Sequence, residues 1–287
     1  MRWSSVQSRE GAPRARIIYM GVTVYRNIDI GDVPDTPSHP LVDESITPES
    51  RKALIDMGSI LGFPISYKQE QGGRLIQNLV PVHKTEYQQI STSSKVELEM
   101  HTETAFHPYR PSHVLLLCLR GDDSAITTYA DDFEIVEKLS DEAINILQKP
   151  WFTTQVDESF RTNGEPNMKI TTSILRENPS SISSSWVLTY DSSFMEAIGI
   201  DEKTKIEAER ALGEMRVAVN SSMRDIVLKS RDMLIINNDT TLHGRKPFQP
   251  RYDGTDRWVQ RMLVARNMPP ASHISGHVIT TEFGKNV

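Results

Sequence analysis

The sequence predicts a mainly β fold, a sandwich or barrel that carries a few helical insertions. Short apolar runs separated by turn residues recur along the chain, and the helical patterns are few and segregated from them. No Gly-rich phosphate-binding loop of the dinucleotide or P-loop type is present. These observations disfavour a doubly wound parallel sheet, in which strands and helices alternate.

The first half of the chain supplies one helix and most of the early strands. We predict a strand over 17–25, a proline-containing loop over 29–47, a helix over 48–61, and strands over 75–80, 96–100, 114–119 and 126–129. The helix has Thr47 as its cap, Pro48 at its first position and Gly62 after its last residue. The run Val114–Leu119 is apolar throughout, which indicates a strand buried on both faces.

The second half is predicted to hold the remaining helices and the last strands. One or two helices are expected over 133–148 and another over 203–223, with strands over 186–190, 226–228, 234–236 and 258–265. Residues 153–169 are polar and contain Gly164 and Pro166, so they are expected to form a mobile loop. Because no repeat and no linker divides the chain, we expect a single domain over 1–287.

Composition limits the molecules that the protein can bind and the compartment in which it is expected. Lys and Arg number 32 against 38 Asp and Glu, and the resulting net charge of −6 argues against nonspecific binding to nucleic acid. The only cysteine, Cys118, cannot form an internal disulfide, and its solitary occurrence favours a reducing compartment. The sequence shows neither a membrane-spanning run nor a secretory signal. We therefore expect a cytoplasmic protein that acts on a small molecule.

Two histidines and one carboxylate are the first residues that suggest chemistry. His101 and Glu103 are two residues apart at the end of a predicted strand, where they share a face. The opposite face of that strand is predicted to carry the apolar side chains Val96, Leu98 and Met100. His243 follows the strand over 234–236 and a polar turn. Two histidines and a carboxylate from two strands match a facial triad, which leaves three positions of Fe(II) open for substrates.

Two arginines share one face of a later strand. The residues of that face are Arg257, Val259, Arg261 and Leu263. A buried guanidinium is costly unless an anion pairs with it, and its planar fork matches a carboxylate. The pattern therefore favours an anionic ligand. The alternative is an internal partner such as Asp256 or Glu103.

These motifs resemble the Fe(II)/2-oxoglutarate-dependent dioxygenases. Within them, the chain resembles the clavaminate synthase-like branch of the taurine dioxygenase superfamily, near the β-hydroxylases of asparagine and arginine. The motifs that carry the resemblance include LEMHTETAFHPYRP (98–111), NNDTTLHGRKPF (237–248) and RYDGTDRWVQR (251–261). The resemblance implies a double-stranded β-helix, or jelly-roll, core. It is weak over 1–45 and 153–184, which we interpret as a variable N-terminal segment and a mobile active-site loop.

The resemblance also implies roles for individual residues. The matching positions are His101, Glu103 and His243 for iron, Thr127 and Arg257 for the distal carboxylate of 2-oxoglutarate, and Gln77, Ser91, Asp191 and Arg261 for the substrate. Arg261 would receive an α-carboxylate, and Asp191 would meet the substrate side chain. Thr128 would face away from the pocket. Since the carboxylate Glu103 is retained, hydroxylation or desaturation is favoured over halogenation.

The implied activity uses Fe(II), O2 and the cosubstrate 2-oxoglutarate. We expect hydroxylation at C3 or C4 of a polar L-amino acid such as arginine, or of a derivative, in natural-product (antibiotic) biosynthesis. Three alternatives stay open: a desaturase or cyclising oxidase, a non-catalytic jelly-roll binding protein, and a zinc hydrolase. The complete residue set argues against the binding protein, and Arg257 has no role in the hydrolase.

Overall fold

A computed structural model describes residues 16–19, 21–157, 160, 168–178 and 186–282. Its first elements are β1 (Arg16–Ile18), β2 (Val22–Tyr25), α1 (Pro48–Leu61), β3 (Phe63–Tyr67), β4 (Ile76–Leu79), β5 (Leu98–His101), β6 (His113–Arg120), β7 (Thr127–Asp131), α2 (Asp132–Val136) and α3 (Asp141–Leu147). The later elements are β8 (Phe152–Gln155), β9 (Lys169–Thr172), β10 (Leu175–Glu177), β11 (Trp186–Leu188), β12 (Glu196–Ala197), α4 (Glu202–Ser222), β13 (Arg224–Ile226), β14 (Met233–Asn237), β15 (Thr241–Arg245), β16 (Trp258–Ala265), β17 (Ile274–Ser275) and β18 (Val278–Ile279).

Two sheets form the centre of the molecule and confirm the predicted jelly-roll core. The large sheet has the order β1-β2-β14-β6-β16-β3-β18-β17, with β4 also paired to β16, and the small sheet has the order β13-β7-β15-β5. Apart from the β3–β18 pair, neighbouring strands in both sheets run antiparallel. A buried apolar cluster joins the sheets, with Leu116 and Val259 from the large sheet and Tyr129 from the small one. The connection from β14 to β15 crosses from one sheet to the other.

Helices cover the outer faces of both sheets. Helix α1 packs on the large sheet, where Leu54 joins a cluster with Leu115 and Met262. Helices α2, α3 and α4 pack on the small sheet through a second cluster that includes Ala130 and Leu242. The bounds of α1 agree with the prediction, but the Thr47 side chain makes no capping bond and instead accepts a hydrogen bond from Gln260 at 2.9 Å.

The prediction of a loop over 153–169 is wrong in part. Strand β8 begins the segment and pairs antiparallel with β9, with Phe152 opposite Thr172. The sequence pattern missed these strands because β9 lies at the edge of a small sheet and is only partly buried. Residues 158–159, 161–167 and 179–185 lie outside the described part of the chain, so mobility of the loop stays a prediction.

Three further differences concern short strands. The strand predicted over 17–25 is two strands, β1 and β2, and Gly21 between them has a left-handed φ of 75°. Strands β3 and β15 have no counterpart in the prediction, since Pro64 interrupts one and the other is mostly polar although fully buried.

Among the described residues, no helix combines the length and the hydropathy needed to cross a lipid bilayer.

Candidate metal centre and its pocket

The structure brings His101, Glu103 and His243 together at one end of the small sheet. Strand β15 pairs with β5 so that His243 lies opposite His101, and the two ring centroids are 4.4 Å apart. Glu103 follows the end of β5, and its Oε2 lies 3.4 Å from His243 Nε2. One nitrogen or carboxylate oxygen from each residue lies within 4.8 Å of the others, as a shared metal ion requires.

The electrostatic state of these groups suits a divalent metal. Nδ1 of His101 lies 2.8 Å from the Glu99 carbonyl and donates to it, which leaves the Nε2 lone pair available as a ligand. Burial lowers the pKa of His243, so its imidazole is neutral near pH 7. Burial alone would raise the pKa of the Glu103 carboxyl, but the Arg261 guanidinium and a hydrogen bond from His243 hold it well below its usual range. Two imidazoles and one carboxylate form the donor set that Fe(II) takes in facial-triad sites.

A bulge in β5 sets the approach of the two ligand strands. His243 pairs with His101 but Arg245 pairs with Leu98, so two residue steps on β15 span three on β5. The predicted alternation of faces is therefore wrong at Leu98, which lines the same pocket as His101. A Cβ on Gly244 would lie 2.5 Å from the Leu98 carbonyl oxygen, so glycine is needed for this close approach.

The two inward arginines, Arg261 on β16 and Arg257 immediately before it, have different surroundings. Arg261 Nη1 donates to Glu103 Oε1 at 2.7 Å, and Nη2 lies 3.1 Å from a Glu70 oxygen. Arg257 is equally buried, yet none of the ion pairs or side-chain hydrogen bonds among the described residues involves it. Asp256 does not fill that role, because its carboxylate accepts from the backbone N–H groups of residues 251 and 252. The internal-partner alternative therefore holds for Arg261 and fails for Arg257.

The pocket around Arg257 contains further polar groups. Thr127 on β7 lines it, whereas Thr128 donates to Met100 Sδ at 3.4 Å on the other side of the sheet, as predicted. Arg245 also lines the pocket, and it donates to the carbonyl oxygen of Val96 at 3.2 Å and to both oxygens of Ser93. Burial and the nearby Arg257 charge lower the pKa of Arg245 to about 9. Two buried guanidiniums thus stand close together, which favours an anion between or beside them.

The predicted substrate residues line the same cavity of about 560 Å³. Gln77 lies opposite Arg261 in the β4–β16 ladder, and its side-chain oxygen accepts from Arg261 Nε at 2.9 Å. Ser91 lines the cavity from the loop between β4 and β5. Asp191 also lines it, but one of its oxygens accepts from the N–H groups of Ser193 and Phe194. Gln77 thus holds Arg261 in place, and Asp191 partly stabilises its own turn.

Besides Arg245, sequence reasoning missed three polar residues at this site. Glu70 accepts from Arg261 and from Gln77 Nε2, the latter at 3.1 Å. Asp157 lines the cavity at the end of β8, and burial together with the charges of Asp191, Glu70 and Glu103 raises its pKa to about 8. Asn238 is fully buried and bonds to the backbone of Glu103. Of these three, only Asn238 could have been found from the sequence, because it belongs to the motif NNDTTLHGR that also contains His243.

Comparison with known proteins agrees with this geometry. Residues 39–263 match the family model described as taurine catabolism dioxygenase TauD, TfdA family. An L-lysine 3-hydroxylase from Catenulispora acidiphila is 33% identical, over 88% of this chain and 70% of its own.

Two solved structures share the fold. An asparagine oxygenase in complex with Fe(II), 3-hydroxyasparagine and succinate has a TM-score of 0.79 and 30% identity, over 91% of this chain and 80% of its own. A non-heme iron oxygenase, OrfP, in complex with Fe, succinate and (3S)-hydroxy-L-Arg has a TM-score of 0.79 and 28% identity, over 90% of this chain and 81% of its own. The iron-type triad, the jelly roll and the family match lead to one conclusion: this chain belongs to the TauD/TfdA family of Fe(II)- and 2-oxoglutarate-dependent dioxygenases.

Proposed function

We propose that this enzyme hydroxylates C3 or C4 of a basic L-amino acid, or of a derivative of one. The observation that carries the proposal is a single cavity that combines the triad, the unpaired Arg257 and a group of carboxylates. The relatives support the same class, since one is named a lysine 3-hydroxylase and another was solved with hydroxy-L-Arg.

His101, Glu103 and His243 would hold Fe(II), and Arg257 with Thr127 would hold the distal carboxylate of 2-oxoglutarate. When bound, iron with 2-oxoglutarate and O2 supplies the oxidising power that breaks an unactivated C–H bond. The protein contributes ligation, orientation and the exclusion of water. Because Glu103 occupies the carboxylate position, the site has no room for a halide ligand in its place, and hydroxylation is the expected outcome.

The head group of an amino acid carries one carboxylate and one ammonium. Arg261 offers a cation for the carboxylate, and its neighbour Glu70 offers an anion for the ammonium. Gln77 fixes the orientation of this pair by accepting from Arg261 and donating to Glu70. The arrangement therefore suits a zwitterionic head group better than a simple acid or amine.

Asp157 and Asp191 form an acidic part of the cavity lining, the acidic wall. The charge of Asp191 contributes to the raised pKa of Asp157. Two partly desolvated carboxylates gain most from a cationic ligand, which relieves the repulsion and restores the charged form. This acidity favours a lysine-, ornithine- or arginine-like side chain over the neutral amide of asparagine. Asp157 belongs to the segment expected to cover the substrate.

The test is a screen of the L-amino acids with Fe(II), 2-oxoglutarate and O2, followed by mass spectrometry. We expect a basic amino acid to gain one oxygen atom, with one succinate formed for each product. Loss of two hydrogens instead would identify a desaturase, and turnover confined to neutral amino acids would contradict the assignment of the acidic wall.

The His243→Ala variant is the control for the metal site. Two remaining ligands hold Fe(II) poorly and no longer define one face, so we expect turnover to disappear. Full activity of this variant in iron-containing buffer would contradict the triad.

A further inference from the structure

Asn238 is a fully buried amide in the turn that joins β14 to β15. Its backbone N–H donates to the Ser112 carbonyl at 2.9 Å. Its side-chain Nδ2 donates to the Pro111 carbonyl at 2.8 Å. These bonds fix the turn against the chain segment that leads into β6, so the Asn238 side chain has a defined orientation.

The same side chain binds both backbone groups of Glu103. The Glu103 N–H donates to Asn238 Oδ1 at 2.8 Å, and Asn238 Nδ2 donates to the Glu103 carbonyl at 3.2 Å. Strand β5 ends at His101, so the ladder to β15 no longer reaches Glu103. The carboxamide offers one acceptor and one donor, as a peptide group of a neighbouring strand would. Asn238 thus replaces the missing ladder at this position.

The backbone beyond Glu103 needs such a constraint. Thr104 has a φ of 49°, a left-handed conformation that is unfavourable for a β-branched residue. Such conformations persist where surrounding contacts determine them, and the Thr104 hydroxyl lies 3.2 Å from the Tyr67 hydroxyl on the other side. Tyr67 therefore anchors Thr104, and Asn238 anchors the preceding residue, Glu103, by direct contact with its backbone.

We propose that Asn238 is a positioning residue of the iron site: it holds the backbone of Glu103 where the carboxylate can bind iron. Strand β15 and the turn before it then control the whole triad. His243 lies on β15 itself, His101 is held by the β15–β5 ladder, and Glu103 is held by the Asn238 amide in the turn. This inference rests on the proposed iron site and deepens it.

The experiment compares Asn238→Ala and Asn238→Asp with the same changes at Asn237. Asn237 is the matched control because, among the described residues, its side chain makes a single hydrogen bond, with the Asp239 N–H of its own turn at 3.2 Å. The measurements are Fe(II) affinity of the metal-free protein, the visible absorption of its Fe(II)–2-oxoglutarate complex, and thermal unfolding without metal. For both Asn238 variants we expect Fe(II) affinity to fall by about tenfold to a hundredfold, with a weakened or shifted absorption band. The Asn237 variants should match the wild type.

Asn238→Asp keeps the side-chain volume and one acceptor oxygen but loses the two hydrogen bonds that Nδ2 donates. If the alanine variant does not fold, the aspartate variant tests the proposal. The proposal is overturned if a folded Asn238 variant binds Fe(II) like the wild type, or if the Asn237 variants lose as much affinity. Unfolding of both Asn238 variants would also overturn it, because the residue would then serve the fold as a whole. Failure of the wild type to bind Fe(II) would instead refute the iron site itself.

Discussion

Arg257, immediately before β16, and Arg261, within it, lie four residues apart and line the same cavity, yet they differ in how their charge is balanced. Arg261 contacts the carboxylates of Glu103 and Glu70 and the amide of Gln77. Arg257 is as deeply buried and has neither an ion pair nor a side-chain hydrogen bond among the described residues. Burial accordingly lowers the pKa of Arg257, while the two carboxylates outweigh burial and raise that of Arg261.

The difference separates two uses of a buried cation. A guanidinium with resident partners is part of the folded structure, and removing it leaves the charges of those partners uncompensated. A guanidinium without them costs free energy in the ligand-free protein, and this cost is offset when an anion binds. An unbalanced buried charge is therefore a stronger sign of a ligand site than a balanced one, even when both line the same cavity.

The largest expected effect comes from Arg261→Met. This change leaves Glu103 and Glu70 without their cation, and breaking a buried pair costs about 3–5 kcal/mol of unfolding free energy. Urea denaturation of the metal-free protein near pH 7 measures the loss. Arg261 holds the pKa of Glu103 below its ordinary value of 4.5, so its contribution is present above that pH and disappears as the pH falls. The gap between variant and wild type should narrow below about pH 4.5, and a gap that is constant with pH would contradict the assignment.

The contrasting change is Arg257→Met, which removes a cation that has no resident partner. We expect the free energy of unfolding of the ligand-free protein to stay unchanged or to rise. Affinity for 2-oxoglutarate should fall by about a hundredfold or more, since a hundredfold corresponds to about 2.8 kcal/mol. Calorimetric titration of the iron-loaded variant checks this. Normal affinity combined with lower stability would reverse the comparison between the two arginines.

A smaller effect is expected from pH at the acidic wall. The Asp157 carboxyl has a pKa raised to about 8, so it is mostly protonated at pH 6 and ionised at pH 9. A cationic substrate binds the ionised form, and affinity should rise with pH by up to about tenfold per unit below the pKa. Titrations of the metal-free protein with a basic amino acid across this range measure the slope. Asp157→Asn should remove it, and an equal slope in that variant would assign the dependence to another group.

The sequence was most informative where a pattern is local. The bounds of α1 and β16 agree with the prediction. A proline start and a glycine end for the helix, and an alternating, mostly apolar run for the strand, are properties of neighbouring residues. The inward placement of both arginines follows from the same alternation along β16.

Long-range geometry was not predictable from the pattern. The bulge between β5 and β15 depends on how two strands meet, and β15 itself has no apolar run because its buried positions are polar. Glu70 and Asp157 reach the cavity from a turn and a strand end that are distant in sequence. Nothing near either residue in the chain indicates that both face Arg261.

The proposed role of Arg257 would also link the lifetime of the protein to the supply of its cosubstrate. A ligand that binds only the folded state stabilises it by mass action, by about 2.7 kcal/mol at a hundred times its dissociation constant. When 2-oxoglutarate is scarce, the fold retains an uncompensated cation and unfolds more readily. Starvation for this metabolite would therefore reduce the amount of enzyme as well as its rate, and proteolysis at graded 2-oxoglutarate concentrations would make the dependence visible.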